Sequence, residues 1–305
     1  MVDAMVVVIL TTIPLSITGG AQKFIRDIAS ACNGVIINPF RQRIPEDTEF
    51  IIYMDELSSL FRLVYKKQYM RYFFTPRRAF YDMYYFAPIH HRILAILLRP
   101  LDRWFVKLFI DNIVCISHTV RNRINKVYQK DARVIYSPVH PEEYTGERAN
   151  NGFWLVVSRV DKWKRIGLIL DTFRDINERL VIAGPIYKKY SWVDDIIHPN
   201  IIIYGEVPEW YLKQLYLSCK GVICMSVDED LGLVPLEAHA CGKQVIAVKE
   251  GGYLETGCDI LIPPTKKALI DAISNFKYNS KEYDLTEFTY DTFKRKLNEA
   301  IEEFS

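Results

Sequence analysis

Short apolar runs alternate with amphipathic stretches from the start of the chain. The run at 6–10 predicts a buried strand, and the stretch at 21–31 predicts a helix because its apolar side chains recur on one face. Apolar runs at 35–38 and 49–55 predict two more strands. Strand, glycine loop, helix and strand in this order are typical of a parallel α/β sheet.

A second α/β series follows a polar, glycine-containing stretch at 145–152, which we interpret as a domain boundary. Helical patterns separate its predicted strands, which lie at 154–157, 179–185, 200–207 and 221–227. Two successive series of this kind, each of ordinary domain size, predict an α/β protein with two Rossmann-like domains.

Composition narrows the classes of protein. The 305 residues carry a formal net charge of +2, which gives no indication of nucleic acid binding. Six cysteines are scattered without a CxxC pair, which argues against a disulfide framework or a zinc site and fits a reducing compartment. No apolar run is long enough for a membrane-crossing helix, and the start lacks the basic leading segment of a signal peptide. We therefore expect a cytoplasmic protein.

Two glutamates flank the loop after the predicted strand at 221–227. Glu229 lies in the loop itself, and Glu237 lies in the helical stretch PLEAHACG that follows. Ligands of parallel sheets bind at the carboxyl ends of strands, and free amides at a helix start favour anions. A ligand rich in hydroxyls and phosphate, such as a nucleotide sugar, suits this pair. The plain alternative is one loop acid and one helix-surface acid, because acid pairs at this spacing are common by chance.

Cations follow the predicted strand at 154–157. Arg159 and Lys164 lie in the loop SRVDKWKR, where two positive charges could neutralise a diphosphate. Lys162 and Arg165 lie in the same loop, so an exposed charged loop is the alternative.

Gly19 and Gly20 follow the first predicted strand. Glycine there lets the backbone approach a phosphate closely, and an ordinary turn is the alternative. The pattern is not GxGxxG, and no acid follows the second strand in the Rossmann register, so a nicotinamide cofactor is not expected.

Together these segments resemble the retaining family-four glycosyltransferases of the GT-B fold. The similarity lies in GGAQKFIRDIA, SRVDKWKR and EDLGLVPLEAHACGKQVIAVKEGGYLET, and the last resembles the E-x7-E motif of that family with its Gly-Gly-x-x-Glu turn. FFTPRRAFYDMYY and VIYSPVHPEEY are similar to segments of the mannosyltransferase branch. The resemblance covers almost the whole chain.

The resemblance implies a reaction and an organisation. A hexose, mannose by similarity to the branch, would pass from a GDP- or UDP-sugar to an acceptor hydroxyl, with retention of configuration and without a metal or other cofactor. The acceptor would be lipid-linked or a glycan. Parallel sheets of the two domains would face a central cleft. The implied limits are 1–147 for the acceptor-side domain, 148–285 for the nucleotide-sugar-binding domain, and 286–305 for a helix that packs back toward the first.

The resemblance also assigns roles to residues. Glu229 would hold sugar hydroxyls, with Arg159 and Lys164 binding the leaving diphosphate as the other catalytic groups. Glu237 would hold the ribose. The remaining implied contacts are Gly19 and Gly20 at the phosphates, Gly232 and Leu233 through their amides, Gly184 and Val207 near the base, and Thr75 and Arg77 on the acceptor side.

One departure and two alternatives follow. Phe74 stands where the mannosyltransferase branch has a histidine near the reacting centre. That loss motivates the alternative of a binding protein that kept the fold without turnover. A second alternative is a metal-dependent transferase of another fold, because Asp228 and Asp230 form a D-x-D triplet whose oxygens suit Mg²⁺ or Mn²⁺.

Residues 61–107 are basic and aromatic, with Asp82 and Asp102 as their acids. Such a composition suits the interface of a membrane, and we expect peripheral contact with its inner face. Stacking on single-stranded nucleic acid is disfavoured. The alternative is a set of helices packed in the front domain with solvated basic faces.

Overall fold

The computed structural model describes residues 5–15, 19–86, 88–193 and 198–305. The chain divides into two compact units, which we call unit 1 (Met1–Pro138 with Tyr290–Ser305) and unit 2 (Val139–Thr289). Each unit is built on one six-stranded parallel sheet. The domain limits at 147 and 285 stay predictions.

The described residues of unit 1 form six strands and four α-helices before its C-terminal part. The strands are Val7–Leu10 (β1), Val35–Ile37 (β2), Phe50–Tyr53 (β3), Gln68–Phe73 (β4), Ile113–Cys115 (β5) and Arg133–Val134 (β6). The helices are Gly20–Cys32 (α1), Glu56–Ser59 (α2), Ile89–Phe109 (α3) and His118–Tyr128 (α4). In the sheet the strand order is β2-β1-β3-β4-β5-β6, so the order reverses between β1 and β3.

Unit 2 repeats this architecture. Its strands are Phe153–Val157 (β7), Arg179–Ala183 (β8), Ile201–Gly205 (β9), Gly221–Cys224 (β10), Val245–Val248 (β11) and Ile260–Ile262 (β12). Its helices are Ile166–Arg174 (α5), Glu209–Ser218 (α6), Leu233–Ala240 (α7) and Lys266–Ser274 (α8). The strand order β12-β11-β10-β7-β8-β9 reverses between β7 and β10.

The central strands form the cores. Every residue of β1, β3, β10 and β11 is buried. Helical crossovers between parallel strands cover both faces of such a sheet, so its strands are continuous apolar runs and not alternating ones. This is why the apolar runs of the sequence mark strands in both units.

The C-terminal helix Tyr290–Phe304 (α9) belongs to unit 1. It packs against α1 and β4 and buries Phe293 and Leu297. Asn298 donates to the carbonyl oxygen of Ala31 at 3.3 Å, and Arg133 pairs with Glu303 at 2.5 Å. Helix α9 therefore completes the core of unit 1, although it is separated in sequence from the rest of that unit.

Strand β4 lies in the basic, aromatic segment and was not predicted from the sequence. It is buried although it carries Arg71, which is 2% exposed. The Arg71 guanidinium donates to the Tyr53 carbonyl oxygen at 3.2 Å and lies over the Phe73 ring, which partly offsets the cost of burying a cation. The interpretation of 61–107 as helices with solvated basic faces is wrong here, because a buried cation hides the apolar pattern of the strand.

Within the described ranges, none of the helices combines the length and the hydropathy that a membrane crossing requires.

Candidate active site

The carboxyl ends of β7 and β10 meet where the strand order of unit 2 reverses. The loop after β7 carries Arg159 and Lys164, and the loop after β10 carries Glu229. Because β10 pairs directly with β7, these two loops are neighbours although they are far apart in sequence. Reversal points of this kind are where open α/β sheets bind their ligands.

An ion pair joins the two loops. The ammonium of Lys164 lies 2.6 Å from a Glu229 carboxylate oxygen, and both side chains are about one-fifth exposed, at 22% and 23%. The hydroxyl of Tyr253 lies 3.5 Å from the same oxygen. Burial, and then the charge of Glu229, raise the pKa of Tyr253 well above its usual range. Tyr253 is therefore a neutral donor beside the carboxylate.

The β7 loop is fixed by its own carboxylate. Asp161, which is 7% exposed, accepts from the amides of Trp163 at 2.9 Å and Lys164 at 3.0 Å and so caps the short 3₁₀ turn Lys162–Lys164. The amide of Val227 donates to the Trp163 carbonyl oxygen at 2.7 Å, which ties this turn to the β10 loop. Arg159 is 52% exposed and lies 3.4 Å from Asp161. Its guanidinium can therefore reach a ligand without the removal of a buried contact.

Arg165 and Glu250 form a second ion pair that the sequence analysis did not identify. One guanidinium nitrogen of Arg165 donates to both Glu250 oxygens at 2.9 Å, and the other donates to the Met225 carbonyl oxygen at 3.1 Å. The amide of Asp228 also donates to Glu250, at 3.2 Å. The pair braces the backbone on which Glu229 stands. The signal in the sequence is the repeated charge of SRVDKWKR, for which an exposed charged loop is the alternative interpretation.

The Gly-Gly turn after β11 packs against the backbone of the Glu229 loop. A Cβ on Gly251, whose φ is +56°, would lie 2.4 Å from the Glu229 carbonyl oxygen. The next amide, of Gly252, donates to that same oxygen at 2.8 Å. Only glycine permits both the left-handed backbone and this approach. Gly251 and Gly252 therefore support the backbone of the Glu229 loop.

Glu237 lies on α7, the helix that begins after the Glu229 loop with Gly232 as its N-cap and Leu233 as its first residue. The Tyr216 hydroxyl donates to Glu237 at 2.6 Å. Tyr216 is fully buried, and burial, followed by the Glu237 charge, raises its pKa well above the usual range. A partner from α6 thus orients the carboxylate.

Gly184 and Val207 lie at the ends of the next two strands, β8 and β9. A Cβ on Gly184, whose φ is +145°, would lie 2.1 Å from the Ser158 carbonyl oxygen. The glycine therefore lets the loops after β7 and β8 touch. Val207 follows β9 and is half-buried. Both lie at the same edge of the sheet as Lys164, because the strands are parallel.

The remaining predicted residues belong to unit 1. Gly19 is the N-cap of α1 and Gly20 its first residue, and both are exposed; the preceding Thr18 lies outside the described residues. The Thr75 hydroxyl accepts from Arg123 at 3.1 Å, and Arg77 lies 3.9 Å from Glu56.

Phe74 makes an aromatic contact within unit 1. Its ring packs edge-on against Phe24 of α1 at a centroid distance of 5.5 Å. Phe24 also contacts the rings of Tyr72 and Phe293. Phe74 thus joins an aromatic cluster, which gives a packing reason for an apolar residue at this position.

Across the described part of the chain, no group of three or more His, Cys, Asp or Glu side chains is arranged to hold a metal ion. Asp228, the first acid of the D-x-D triplet, has left-handed backbone with φ of 45°.

Comparison with known proteins agrees with this geometry. Residues 142–286 match the family model described as "Glycosyl transferases group 1". An uncharacterised glycosyltransferase of Methanocaldococcus jannaschii, MJ1178, is 29% identical over 155 residues, 49% of this chain and 43% of the relative. The O-antigen chain mannosyltransferase RfbU of Salmonella typhimurium is 24% identical over 54% of this chain and 51% of its own. The matches thus span about half the length of these relatives.

A solved structure shares the whole fold. Anabaena HepE, determined in complex with UDP and glucose, superimposes with a TM-score of 0.77 at 15% identity, over 98% of this chain and 100% of its own. The predicted α/β architecture of GT-B type is confirmed. Residues 142–286 are therefore similar in sequence to glycosyl transferases group 1, and the chain has the GT-B fold.

Proposed function

We propose that the protein transfers a hexose from a nucleoside diphosphate sugar to an acceptor hydroxyl, with retention of anomeric configuration. The observation that carries the proposal is the ion pair of Lys164 and Glu229 at the reversal point of the unit 2 sheet. It sets a cation for the diphosphate beside an acceptor for sugar hydroxyls, which is the charge pattern of a sugar diphosphate.

Each charged group of the site has a task in this reaction. The acceptor oxygen forms a bond to the anomeric carbon while the bond from that carbon to the diphosphate oxygen breaks and the acceptor hydroxyl loses its proton. The leaving diphosphate gains negative charge, which Lys164 and Arg159 stabilise. Preorganised charges of this kind are worth most where charge develops in the transition state. Glu229 accepts hydrogen bonds from sugar hydroxyls and thereby fixes the anomeric carbon. Since the two cations neutralise the diphosphate, the proposed reaction needs no metal.

The other residues complete the donor site. Glu237 holds the ribose hydroxyls, and the amides of Gly232 and Leu233 contact the phosphates and sugar at the start of α7. Gly184 and Val207 lie near the base. In unit 1, Gly19 and Gly20 are proposed to bind phosphate, and Thr75 and Arg77 are proposed to bind the acceptor.

Two donors are candidates. The similarity to RfbU, a named mannosyltransferase, favours GDP-mannose. The similarity of fold to HepE, whose complex contains UDP and glucose, favours a UDP-hexose. The acceptor is proposed to be a hydroxyl of a glycan or of a lipid-linked sugar.

A thermal-shift panel separates these donors. The protein is heated with GDP, UDP, ADP and their sugar conjugates, each with EDTA and with Mn²⁺. We expect one nucleotide to stabilise the protein in EDTA, since a ligand at about a hundred times its dissociation constant contributes about 2.7 kcal/mol. Stabilisation only with Mn²⁺ would instead favour the D-x-D alternative. No response to any nucleotide would favour a protein that kept the fold without turnover.

The stereochemistry is tested on the product. The stabilising donor is incubated with a panel of simple hydroxyl acceptors, and the anomeric proton of the new bond is identified by NMR. An α-linked product from an α-linked donor is expected. A β-linked product contradicts retention while leaving sugar transfer itself intact.

A further inference from the structure

Helix α3 of unit 1 presents a long apolar face to solvent. Its exposed side chains include Ile93, Leu94, Leu97, Leu101, Trp104 and Leu108. They recur at helical spacing and so form one continuous row, which we call the α3 face. Of the 21 residues of α3, only Ala95 and Val106 are buried apolar residues. Monomeric soluble proteins rarely expose so long an apolar row without a partner for it.

The charges beside the α3 face are positive. Arg103 and Lys107 are exposed and lie one helical turn apart along one edge of the row. The helix contains a single acid, Asp102, which faces inward and accepts from the hydroxyls of Tyr81 at 2.5 Å and Tyr128 at 2.9 Å. No exposed acid of α3 therefore opposes the approach of an anionic surface.

The opposite side of the helix is anchored to unit 1. Arg99 donates to the carbonyl oxygen of Phe80 and lies 4.3 Å from the centroid of the Tyr84 ring. Arg78 pairs with Asp82 at 3.1 Å, and Arg77 lies over the Phe80 ring. Other cations of the basic segment thus contact unit 1. Arg103 lies 5.4 Å from the centroid of the Tyr81 ring and Lys107 donates to Gln129 at 3.3 Å, but both residues stay exposed at the edge of the α3 face.

A second apolar group lies on the same side of the sheet. Leu57, Leu60, Leu63 and Val64 are exposed on the connection from β3 to β4. The β3–β4 and β4–β5 connections cross neighbouring parallel strands in the same direction, so right-handed crossovers place both on one face of the sheet. The apolar surface of this side is therefore wider than α3 alone.

We propose that the α3 face docks unit 1 on a lipid bilayer that contains anionic phospholipid. Hydrophobic side chains enter the boundary of headgroups and acyl chains, Trp104 lies at the headgroup level, and Arg103 and Lys107 contact lipid phosphates. The helix lies in the plane of the interface. Cations along one edge of the row and the absence of an exposed acid on α3 itself complement an anionic lipid surface better than a protein partner of mixed charge. The inference stands on this surface and does not depend on the transfer reaction.

Vesicle co-sedimentation tests the apolar row. The protein is mixed with vesicles of phosphatidylcholine containing about one-third phosphatidylglycerol, and with pure phosphatidylcholine vesicles. We expect binding to the first at least about tenfold tighter, because each positive charge near the surface contributes about fivefold. Trp104→Glu and Leu97→Glu should each reduce that binding by about tenfold or more, since a carboxylate replaces apolar contact.

Matched variants in unit 2 are the controls. Trp210 is 67% exposed, compared with 57% for Trp104, so Trp210→Glu changes a similar surface elsewhere and should leave vesicle binding unchanged. The double variant with Arg103→Glu and Lys107→Glu should lose the preference for anionic vesicles. Lys267→Glu changes an exposed lysine of unit 2 and should retain that preference. Nucleotide-induced thermal shifts should be unchanged in all of these variants, which separates this test from that of the donor site.

Three outcomes overturn the proposal. The first is no binding of the wild-type protein to anionic vesicles. The second is an equal loss of binding in Trp104→Glu and Trp210→Glu. The third is a protein that binds no vesicles and forms a dimer in sedimentation equilibrium, with Trp104→Glu dissociating that dimer. This result would assign the α3 face to a second copy of the chain. Because the substituted side chains are exposed, the variants should fold, and Leu97→Glu gives an independent test if Trp104→Glu does not.

Discussion

Asp55 and Glu229 occupy equivalent places in the two sheets and have different surroundings. Asp55 follows β3, which lies beside β1 where the strand order of unit 1 reverses. Glu229 follows β10, which lies beside β7 where the strand order of unit 2 reverses. Asp55 is buried, whereas Glu229 is half-buried. Both carboxylates therefore stand where an α/β sheet can bind a ligand.

Their partners make the difference. Asp55 accepts from the amide and hydroxyl of Thr12, from the Thr11 hydroxyl and from the Ser58 amide, at 2.7 to 3.0 Å. These donors belong to the fold itself, since Asp55 caps α2. Glu229 instead faces the Lys164 ammonium and the Tyr253 hydroxyl, which a ligand can share. The two carboxylates thus have equivalent positions, and their hydrogen-bond partners determine whether the role is structural, as for Asp55, or functional, as proposed for Glu229.

Replacing Glu229 should give the largest effect on activity. Glu229→Ala is expected to lower sugar transfer by about a hundredfold or more, as the loss of a preorganised transition-state contact does, while the protein remains folded by circular dichroism. Glu178→Ala is the matched control, because Glu178 pairs with Lys220 at 2.8 Å with similar burial but at the amino ends of the strands. Equal loss of transfer in both variants would remove Glu229 from the sugar site.

Gly251→Ala should distort the Glu229 loop, because Gly251 packs against the backbone of that loop. The new Cβ would clash with the Glu229 backbone in addition to straining the left-handed backbone, and we expect about 3 kcal/mol of destabilisation in urea unfolding. Gly257→Ala separates the two causes, since its φ is +68° but no atom lies within 4 Å of the added Cβ. That control should cost about 1 kcal/mol. A comparable loss in both variants would show that backbone strain, and not the clash, dominates.

Asp55→Ala should affect stability and leave nucleotide binding unchanged. It removes the α2 cap and leaves buried donors such as the Thr11 hydroxyl without their acceptor. We expect a loss of about 2 kcal/mol in the free energy of unfolding. The dissociation constant of the stabilising nucleotide, measured by calorimetry, should not move. A large rise in that constant would contradict the contrast between the two carboxylates.

Lys164→Ala should weaken binding of the nucleoside diphosphate by about tenfold, which is about 1.4 kcal/mol and typical of one charge-assisted hydrogen bond. Calorimetry at fixed ionic strength measures it. Lys220→Ala removes a lysine of similar burial from an ion pair outside the site and should leave the dissociation constant unchanged. Unchanged binding in Lys164→Ala would exclude this lysine from the diphosphate site.

Tyr253→Phe should give the smallest effect. Its hydroxyl lies 3.5 Å from Glu229, a long hydrogen bond beside a carboxylate that keeps its lysine. We expect a change in sugar transfer of about threefold, with the ring retaining its packing. A loss as large as that of Glu229→Ala would mean that Tyr253, and not Lys164, orients the carboxylate.

Local sequence patterns predicted most of the strands, and they identified charged residues of the site without identifying their partners. Apolar runs marked the strands because both faces of a parallel sheet are buried. The same patterns do not reveal β4, where Arg71 interrupts the apolar run. They also do not reveal the ion pair of Arg165, because its partner Glu250 lies 85 positions away. The sequence alone does not distinguish an exposed arginine from a buried one that hydrogen-bonds to the backbone.

The sequence by itself determined the parallel α/β class, the division into two series, and the loops that carry Arg159, Lys164, Glu229 and Glu237, since each follows from residues close together in the chain. Only the tertiary structure decided that β10 lies beside β7, which brings Lys164 to Glu229 across 65 positions. It also decided which cations of the basic segment face inward and which flank the apolar face of α3. Strand order and side-chain direction depend on contacts between distant segments, and no local pattern encodes them.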